Sequence, residues 1–190
     1  PAGPWEFCMT LNDHWGYMDS DTNYKSVRQI VRMFVDCISM GGNLLLDIGP
    51  RADGTIPEEQ VERLKGLGRW TSKHAEAIWG TGRGLPLGHY HGPSTVSKDR
   101  KSIYLFFFDR PIDEIGLKGL CTKISSISVV GSGQKLKWKT LGGAPWSGVP
   151  GTTWISLPDA EVDNEGTVVK IELEDELKLY RGSGHAIQQN

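Results

Sequence analysis

The stretch Gly41-Gly42-Asn43-Leu44-Leu45-Leu46-Asp47-Ile48-Gly49-Pro50 decides how the first half of the 190-residue chain folds. A short apolar run bounded by glycine and proline is typical of a parallel strand that is covered on both faces. Upstream, a helix is predicted to begin after candidate N-caps in residues 21–23 and to end at Gly41-Gly42. Its buried face recurs at helical spacing: Val27, Ile30, Val31, Phe34, Val35 and Ile38.

A second helix is predicted downstream of this run, beginning at Thr55-Ile56-Pro57-Glu58. Threonine as cap, proline near the first helical position and glutamate three residues after the cap form a helix start signal. Its buried face comprises Val61, Leu64, Leu67, Trp70 and Ile78. Residues 5–10 are a further candidate strand. The order strand, helix, strand, helix predicts an α/β fold.

The second half of the chain has a different period. Five β-forming runs, separated by Gly, Pro, Asp and Asn, predict an antiparallel β-sandwich over residues 102–108, 124–130, 135–140, 153–157 and 167–173. Residues 81–87 contain two glycines and a proline and are the predicted linker. The predicted domains are therefore residues 1–80 and residues 84–181.

The bulk composition excludes several classes of function. The formal charge of −2 gives no electrostatic reason to expect nucleic acid or an anionic membrane as a partner. No apolar run approaches the roughly 20 residues of a membrane-spanning helix. The chain begins at Pro1 with no leader, which leaves open a removed signal peptide or a partial chain. Cys8, Cys37 and Cys121 form no zinc or disulfide pattern, and Cys37 is expected to be a buried free thiol.

An aromatic and polar cluster near the start of the chain is the strongest candidate binding site. Trp5, His14 and Trp15 lie within 11 positions, together with Glu6 and Asp13. Aromatic faces with a few directional polar groups suit a sugar, whose rim is hydroxylated and whose one face is rich in C–H groups. The alternative is that the two tryptophans are core residues at the end of a strand.

Two carboxylates lie on the predicted parallel strands. We expect Glu6 at the carboxyl end of its strand, because a carboxylate inside a buried strand costs several kcal/mol unless it is paired. Glu6 is then a catalytic acid or a hydroxyl ligand, or it pairs with an arginine. Asp47 either faces the same end of the sheet or, as we favour, braces the loop by accepting backbone N–H bonds.

The remaining candidates have simpler structural explanations. His74 is expected on the solvent face of a helix. His89 and His91 have the spacing of two metal ligands, but with no third ligand evident we predict no metal and no cofactor. Three tryptophans of the second half are candidates for sugar stacking, although core packing is favoured for them: Trp138, Trp146 and Trp154.

Six blocks in the same order resemble family 29 glycoside hydrolases, the α-L-fucosidases. They are Trp5-Glu6, Trp15-Gly16-Tyr17, Gly41 to Pro50, Asp53 to Pro57, Leu64 to Trp70 and Glu76 to Thr81. The resemblance implies the last two strand–helix units of a (β/α)₈ barrel followed by a β-sandwich. It also implies a retaining exo-glycosidase that releases terminal L-fucose with two carboxyl groups. Asp47 departs from the family, which more often has Asn there.

The resemblance also assigns roles and leaves gaps. Glu6 is carried over as a candidate acid/base or fucose ligand, and Trp15 as the aromatic contact of the fucose methyl group, with Trp5 and His14 as further substrate-binding candidates. No position matches the family nucleophile. We therefore expect a partial barrel, completed by the rest of a longer enzyme, by another chain or in a homo-oligomer. The expected partner is a fucosylated oligosaccharide or glycoconjugate, and the family implies a secreted, periplasmic or lysosomal location. The competing hypothesis is a non-catalytic carbohydrate-binding or interaction module.

Overall fold

The computed structural model describes residues 3–109, 113–157 and 160–181. Two α-helices lie in the first half, α1 at Val27–Ser39 and α2 at Glu58–Lys73. The strands in chain order are β1 (Glu6–Thr10), β2 (Asn43–Asp47), β3 (Thr81–Arg83), β4 (Ser94–Ser97), β5 (Ser102–Phe107), β6 (Glu114–Lys118), β7 (Ile124–Val129), β8 (Trp138–Leu141), β9 (Thr152–Ser156) and β10 (Thr167–Leu173). Neither helix is long and apolar enough to cross a membrane, within the part of the chain that is described.

Strands β1 and β2 form a two-stranded parallel sheet, as the apolar run at Leu44 to Leu46 predicts. The register runs from Glu6 opposite Asn43 to Thr10 opposite Asp47. Alternate residues of a strand face opposite sides of the sheet. Leu44 is half-buried, whereas Leu45 is 50% exposed and its partner Cys8 is also exposed. One face of this sheet is therefore open.

The ends of the helices differ from the predicted caps. Helix α1 begins after Ser26, whose hydroxyl accepts from the backbone of Gln29 while the Gln29 side chain accepts from the Ser26 N–H. The predicted caps in residues 21–23 are wrong, because Asp21 serves a different contact described below. Helix α2 begins directly after Pro57 without a side-chain cap, and the hydroxyl of Thr55 donates to Asp53 instead.

Two antiparallel sheets make up most of the second half. Their strand orders are β3-β4-β5-β10-β7 and β6-β9-β8, and side chains from both sheets enclose one hydrophobic core that includes Ile103, Leu117, Ile127, Ile155 and Ile171. All five β-forming runs predicted from the sequence are confirmed as strands, with small shifts at their ends. The prediction that residues 81–87 are only a linker is wrong, because Thr81–Arg83 pairs with β4 as an edge strand.

Strand β5 is buried on both faces, which explains its dense apolar sequence. Ile103, Leu105 and Phe107 face the core between the sheets. Tyr104 and Phe106 face the opposite way, into a second cluster that contains residues of α1 and α2. The helices and the antiparallel sheets are therefore joined by a shared core. The boundary between residues 80 and 84 remains a prediction.

Trp70 occupies the centre of this shared core. It is 3% exposed, and its indole N–H donates to the carbonyl oxygen of Gly166 at 2.8 Å. Its ring centroid lies 6.4 Å from that of Phe106 and 4.7 Å from that of His74. One side chain of α2 thus contacts the antiparallel half at two points distant in sequence.

Burial shifts the pKa values of two side chains in the first half of the chain, His74 and Cys37. The prediction that His74 faces solvent is wrong, because His74 is 1% exposed and its Nδ1 donates to the carbonyl of Trp70 at 2.9 Å. Burial lowers the pKa of the imidazole. Cys37 is a buried free thiol as predicted, and burial raises its pKa.

Candidate functional site

The chain segments that follow β1 and β2 meet at one edge of the parallel sheet. We call this region the carboxyl edge and define it as residues 11–19 and 48–51. The carboxyl ends of parallel strands in α/β folds are where ligands bind, because the loops there converge. Most of the residues in the first loop of this edge are exposed, including Trp15 at 61%.

The two loops of the carboxyl edge pack directly on each other. A side-chain carbon at Gly49 would lie 2.7 Å from the backbone nitrogen of Tyr17 and 2.8 Å from the carbonyl carbon of Gly16. The backbone N–H of Gly49 donates to the side-chain oxygen of Gln60, a fully buried residue of α2, at 3.0 Å. Only glycine allows this close approach, and Gln60 ties the second loop to the helix.

His14 lies on the first loop and is held by Asp21. The Nδ1 atom of His14 is 2.6 Å from Oδ2 of Asp21, and the side chains are 46% and 3% exposed, respectively. Asp21 also accepts the backbone N–H groups of Asp13 and Asn23, each at 3.0 Å. The hydrogen bond from His14, together with these two backbone donors, holds the pKa of Asp21 below its ordinary value.

Replacing Asp21 with asparagine is expected to lower the free energy of unfolding at pH 7, and less so in acid. A lowered folded-state pKa stabilises the fold in full above the unfolded pKa of about 3.9, and this stabilisation is lost as the pH falls through the folded value. Urea unfolding of both proteins at pH 7 and pH 3 checks this.

The exposed Asp19→Asn variant, which removes only the charge of the group that accepts from the Tyr17 hydroxyl, is the control and is expected to cost less at pH 7. A difference between the wild type and Asp21→Asn that is as large at pH 3 as at pH 7 would contradict the assignment.

Trp15 and Tyr17 give the carboxyl edge an aromatic surface. Tyr17 is 37% exposed, its hydroxyl donates to Asp19 at 2.7 Å, and the guanidinium carbon of Arg51 lies 5.4 Å from its ring centroid. Arg51 follows β2, so this contact crosses between the two loops. Trp15 is 61% exposed and directly follows His14 in the chain.

Glu6 and Trp5 do not belong to this edge. Glu6 is the first residue of β1, not the last, so it lies about 13 Å from Thr10 at the carboxyl end, given a rise of about 3.3 Å per residue. The expectation that Glu6 lies at the carboxyl end is wrong. Trp5 precedes it and packs against Gly42 at the amino end of β2. The acid/base role of Glu6 and the sugar contact of Trp5 stay predictions, and neither residue lies at the carboxyl edge.

Asp47 ends β2 at the carboxyl edge, as expected, but it does not brace the loop through its carboxylate. Its backbone carbonyl accepts from the N–H of Leu11 at 3.3 Å. Its half-buried side chain accepts no hydrogen bond from the residues that the structure describes. Gln60 braces the second loop instead. Neither Gln60 nor Asp21 was predicted as a site residue.

The other candidates lie outside the carboxyl edge. His89 is buried and donates to the carbonyl of Lys118 at 2.8 Å, whereas His91 is exposed. Over residues 3–109, 113–157 and 160–181, no group of three or more His, Cys, Asp or Glu residues could hold a metal. The prediction of core packing is wrong for Trp146 and Trp138, which are 88% and 39% exposed, while Trp154 is half-buried over Gly116.

Comparison with protein families gives one match for this arrangement. Residues 1–76, which include β1, β2 and the carboxyl edge, match the family model described as alpha-L-fucosidase. Human plasma alpha-L-fucosidase is 32% identical over 146 residues, which cover 72% of this chain and 31% of the human protein. Tissue alpha-L-fucosidase of Macaca fascicularis is 40% identical over 156 residues, 74% of this chain and 31% of that protein.

Solved structures agree over nearly the whole chain. Alpha-L-fucosidase isoenzyme 1 of Paenibacillus thiaminolyticus is 34% identical with a TM-score of 0.78, and the match covers 90% of this chain and 40% of that one. The Thermotoga maritima alpha-fucosidase in complex with fucose is 30% identical with a TM-score of 0.72, covering 90% and 40%. The chain spans about a third of the length of the curated relatives it matches. On the family match and the agreement of both halves with these structures, the chain belongs to the α-L-fucosidase family.

Proposed function

We propose that this chain contributes part of the sugar site of a retaining α-L-fucosidase that releases terminal L-fucose. The observation that carries the proposal is the carboxyl edge. There an exposed tryptophan and a tethered histidine are consecutive residues of one loop, in the region that matches the family. A module that only binds carbohydrate, for which Trp146 is the best candidate at 88% exposed, is the weaker alternative, because the family match lies over residues 1–76 and not over the antiparallel half.

The fold supports a role as one part of a barrel. In this proposal, β1, α1, β2 and α2 are the last two strand–helix units of a (β/α)₈ barrel, and the antiparallel sheets form the β-sandwich that follows. A barrel of eight units needs about 250 residues. The open face of the parallel sheet, marked by exposed Cys8 and Leu45, is the surface that the remaining strands would enclose. A longer form of the polypeptide, another chain or a homo-oligomer would supply them.

Trp15 and His14 are the proposed sugar contacts. The indole of Trp15 presents an apolar face that suits the methyl group at C6 of fucose. Apolar contact of this kind discriminates against a 6-hydroxylated sugar by about 1–3 kcal/mol. The imidazole of His14, the preceding residue of the loop, is 46% exposed and can bind a sugar hydroxyl.

The reacting carboxyl groups are proposed to come from the remaining strands. A retaining glycosidase needs a carboxylate nucleophile that attacks C1 and a second carboxyl group that protonates the leaving oxygen and then activates water. Asp21 is committed to three donors, and Glu6 lies at the opposite end of β1. Neither is therefore assigned a chemical step.

The proposed substrate is a fucosylated oligosaccharide or glycoconjugate. The relatives are named plasma and tissue enzymes, which favours a secreted or lysosomal location, and the notion of a periplasmic location rests on the family resemblance alone.

A chimera tests the proposal directly. The chain replaces the matching part of the Paenibacillus thiaminolyticus isoenzyme, and hydrolysis of 4-nitrophenyl α-L-fucoside is measured. We expect the chimera to hydrolyse this substrate and Trp15→Ala to lower kcat/KM by about tenfold, from lost apolar contact. The 190-residue chain alone is expected to show only background hydrolysis.

Two matched variants act as controls. Glu6→Gln changes a carboxylate at the amino end of β1, and Trp79→Ala removes a tryptophan that is 65% exposed outside the carboxyl edge. Both are expected to keep the turnover of the chimera. A chimera that folds cooperatively without hydrolysing the substrate, or one in which Glu6→Gln rather than Trp15→Ala abolishes turnover, would refute the proposed site.

A further inference from the structure

Asp21 accepts a hydrogen bond from His14, and the capping of α1 by Ser26 does not explain why an aspartate is placed there. It precedes α1 by six residues, so its carboxylate caps no helix. Its side chain is 3% exposed although it belongs to an exposed loop. Burying a carboxylate is costly unless donors surround it. Asp21 has three donors, since Oδ2 accepts from His14 Nδ1 and the Asp13 N–H, and Oδ1 accepts from the Asn23 N–H.

These donors determine where the proton of His14 resides. A carboxylate surrounded by donors stays ionised and accepts only, so the Nδ1 atom of His14, 2.6 Å away, must carry a hydrogen. In the neutral imidazole one nitrogen donates and the other accepts. The Nε2 atom is then a lone-pair acceptor. No other residue in the described ranges hydrogen-bonds this half-exposed ring.

We propose that Asp21 is a positioning residue that fixes His14 in the Nδ1–H tautomer, so that Nε2 accepts a hydrogen bond from a sugar hydroxyl at the carboxyl edge. This inference rests on the proposed function for the identity of the ligand. The tautomer itself rests only on the geometry. The ligand class is a neutral hydroxylated one, because an acceptor nitrogen beside a fixed carboxylate repels anions and matches O–H donors.

His14 directly precedes Trp15 in the loop, so the His14–Asp21 pair can orient a sugar that contacts the indole. The indole supplies an apolar surface without hydrogen bonds, so orientation of a sugar depends on directional groups beside it. A free imidazole rotates and exchanges tautomers, whereas a ring tethered at Nδ1 presents one acceptor in one direction. Asp21 is itself anchored by the backbone on both sides of the loop, at Asp13 and Asn23, so the tether is rigid.

The tautomer is measured on the 190-residue chain, without any substrate. Histidine ring ¹⁵N shifts recorded at pH 8, above the ordinary imidazole pKa of about 6.5, distinguish the two neutral forms. We expect His14 to be an Nδ1–H tautomer, and the exposed His91, which forms no ion pair with a carboxylate among the described residues, serves as the internal control. In Asp21→Asn the His14 signals are expected to move toward those of His91. A wild-type His14 that carries its hydrogen on Nε2 would overturn the inference, whether or not Asp21→Asn folds.

The sugar contact is tested separately in the chimera. His14→Ala is expected to raise the KM for 4-nitrophenyl α-L-fucoside about fivefold to tenfold, the effect of one lost hydrogen bond. His14→Gln, which keeps an acceptor near Nε2, should recover part of this loss, and Asp21→Asn should raise KM with little change in kcat. A correct tautomer with an unchanged KM in His14→Ala would overturn the sugar role of the His14–Asp21 pair. An inactive chimera with a correct tautomer would instead count against the proposed function.

Discussion

Replacing Trp70 with alanine is expected to lower the free energy of unfolding by about 3–5 kcal/mol, the cost of deleting a large buried aromatic side chain. Trp70 is 3% exposed, and its loss also leaves the carbonyl of Gly166 without the indole donor. Because Phe106 packs on the same ring, both halves of the chain should lose stability together. Urea unfolding followed by circular dichroism and by fluorescence checks this, and the two signals should coincide.

Trp79→Ala is the matched control, because Trp79 is the same residue type but 65% exposed. It is expected to change the free energy of unfolding by less than about 1 kcal/mol. Two separate transitions in Trp70→Ala, with the antiparallel sheets unfolding at the wild-type urea concentration, would show that the halves do not share a core.

Replacing Gly49 with alanine is expected to destabilise the chain by about 1–3 kcal/mol and to lower kcat/KM of the chimera by more than Trp15→Ala does. The new carbon would stand 2.7 Å from the backbone nitrogen of Tyr17, and backbone atoms cannot turn aside as a flexible side chain can. The two loops must separate, which moves Trp15 and weakens the Gly49 hydrogen bond to Gln60. Thermal unfolding and chimera kinetics measure the two effects.

Gly16→Ala is the matched control for this substitution. Gly16 lies in the same pair of loops, but a side-chain carbon there meets no atom within 4 Å. We expect Gly16→Ala to leave both stability and turnover near those of the wild type. Equal effects of the two substitutions would mean that the loops are not held by their close approach.

Much of the fold could be predicted from periodicity. The run at residues 102–108 predicts a strand because nearly every residue is a β-former, and it is buried on both faces. Strand β6, in contrast, has glycine at its centre, and glycine in isolation predicts a break. The ring of Trp154, 38 positions later, lies over Gly116, with Cζ3 3.1 Å from where a side-chain carbon would be. Only the tertiary structure reveals that this glycine makes room for an indole.

The candidate site was predicted in part. The composition around residues 5–17 indicates a cluster of aromatic and polar side chains, but it does not tell which end of a strand each residue occupies. Strand β1 begins at Glu6, so Glu6 and Trp15 lie at opposite ends. Asp21 reads as a helix cap, because capping and loop-tethering aspartates both accept nearby backbone N–H groups. The contact with His14, seven positions away, distinguishes the two roles.

The aromatic face of β5 limits how this region can be inherited or recombined. A crossover placed near residues 81–83 would separate Thr81–Arg83 from its neighbour β4 or would strip α1 and α2 from Tyr104 and Phe106. Exchange of the antiparallel sheets between relatives must therefore carry the two helices along. The segment that can be exchanged between relatives is therefore larger than the predicted β-sandwich domain of residues 84–181.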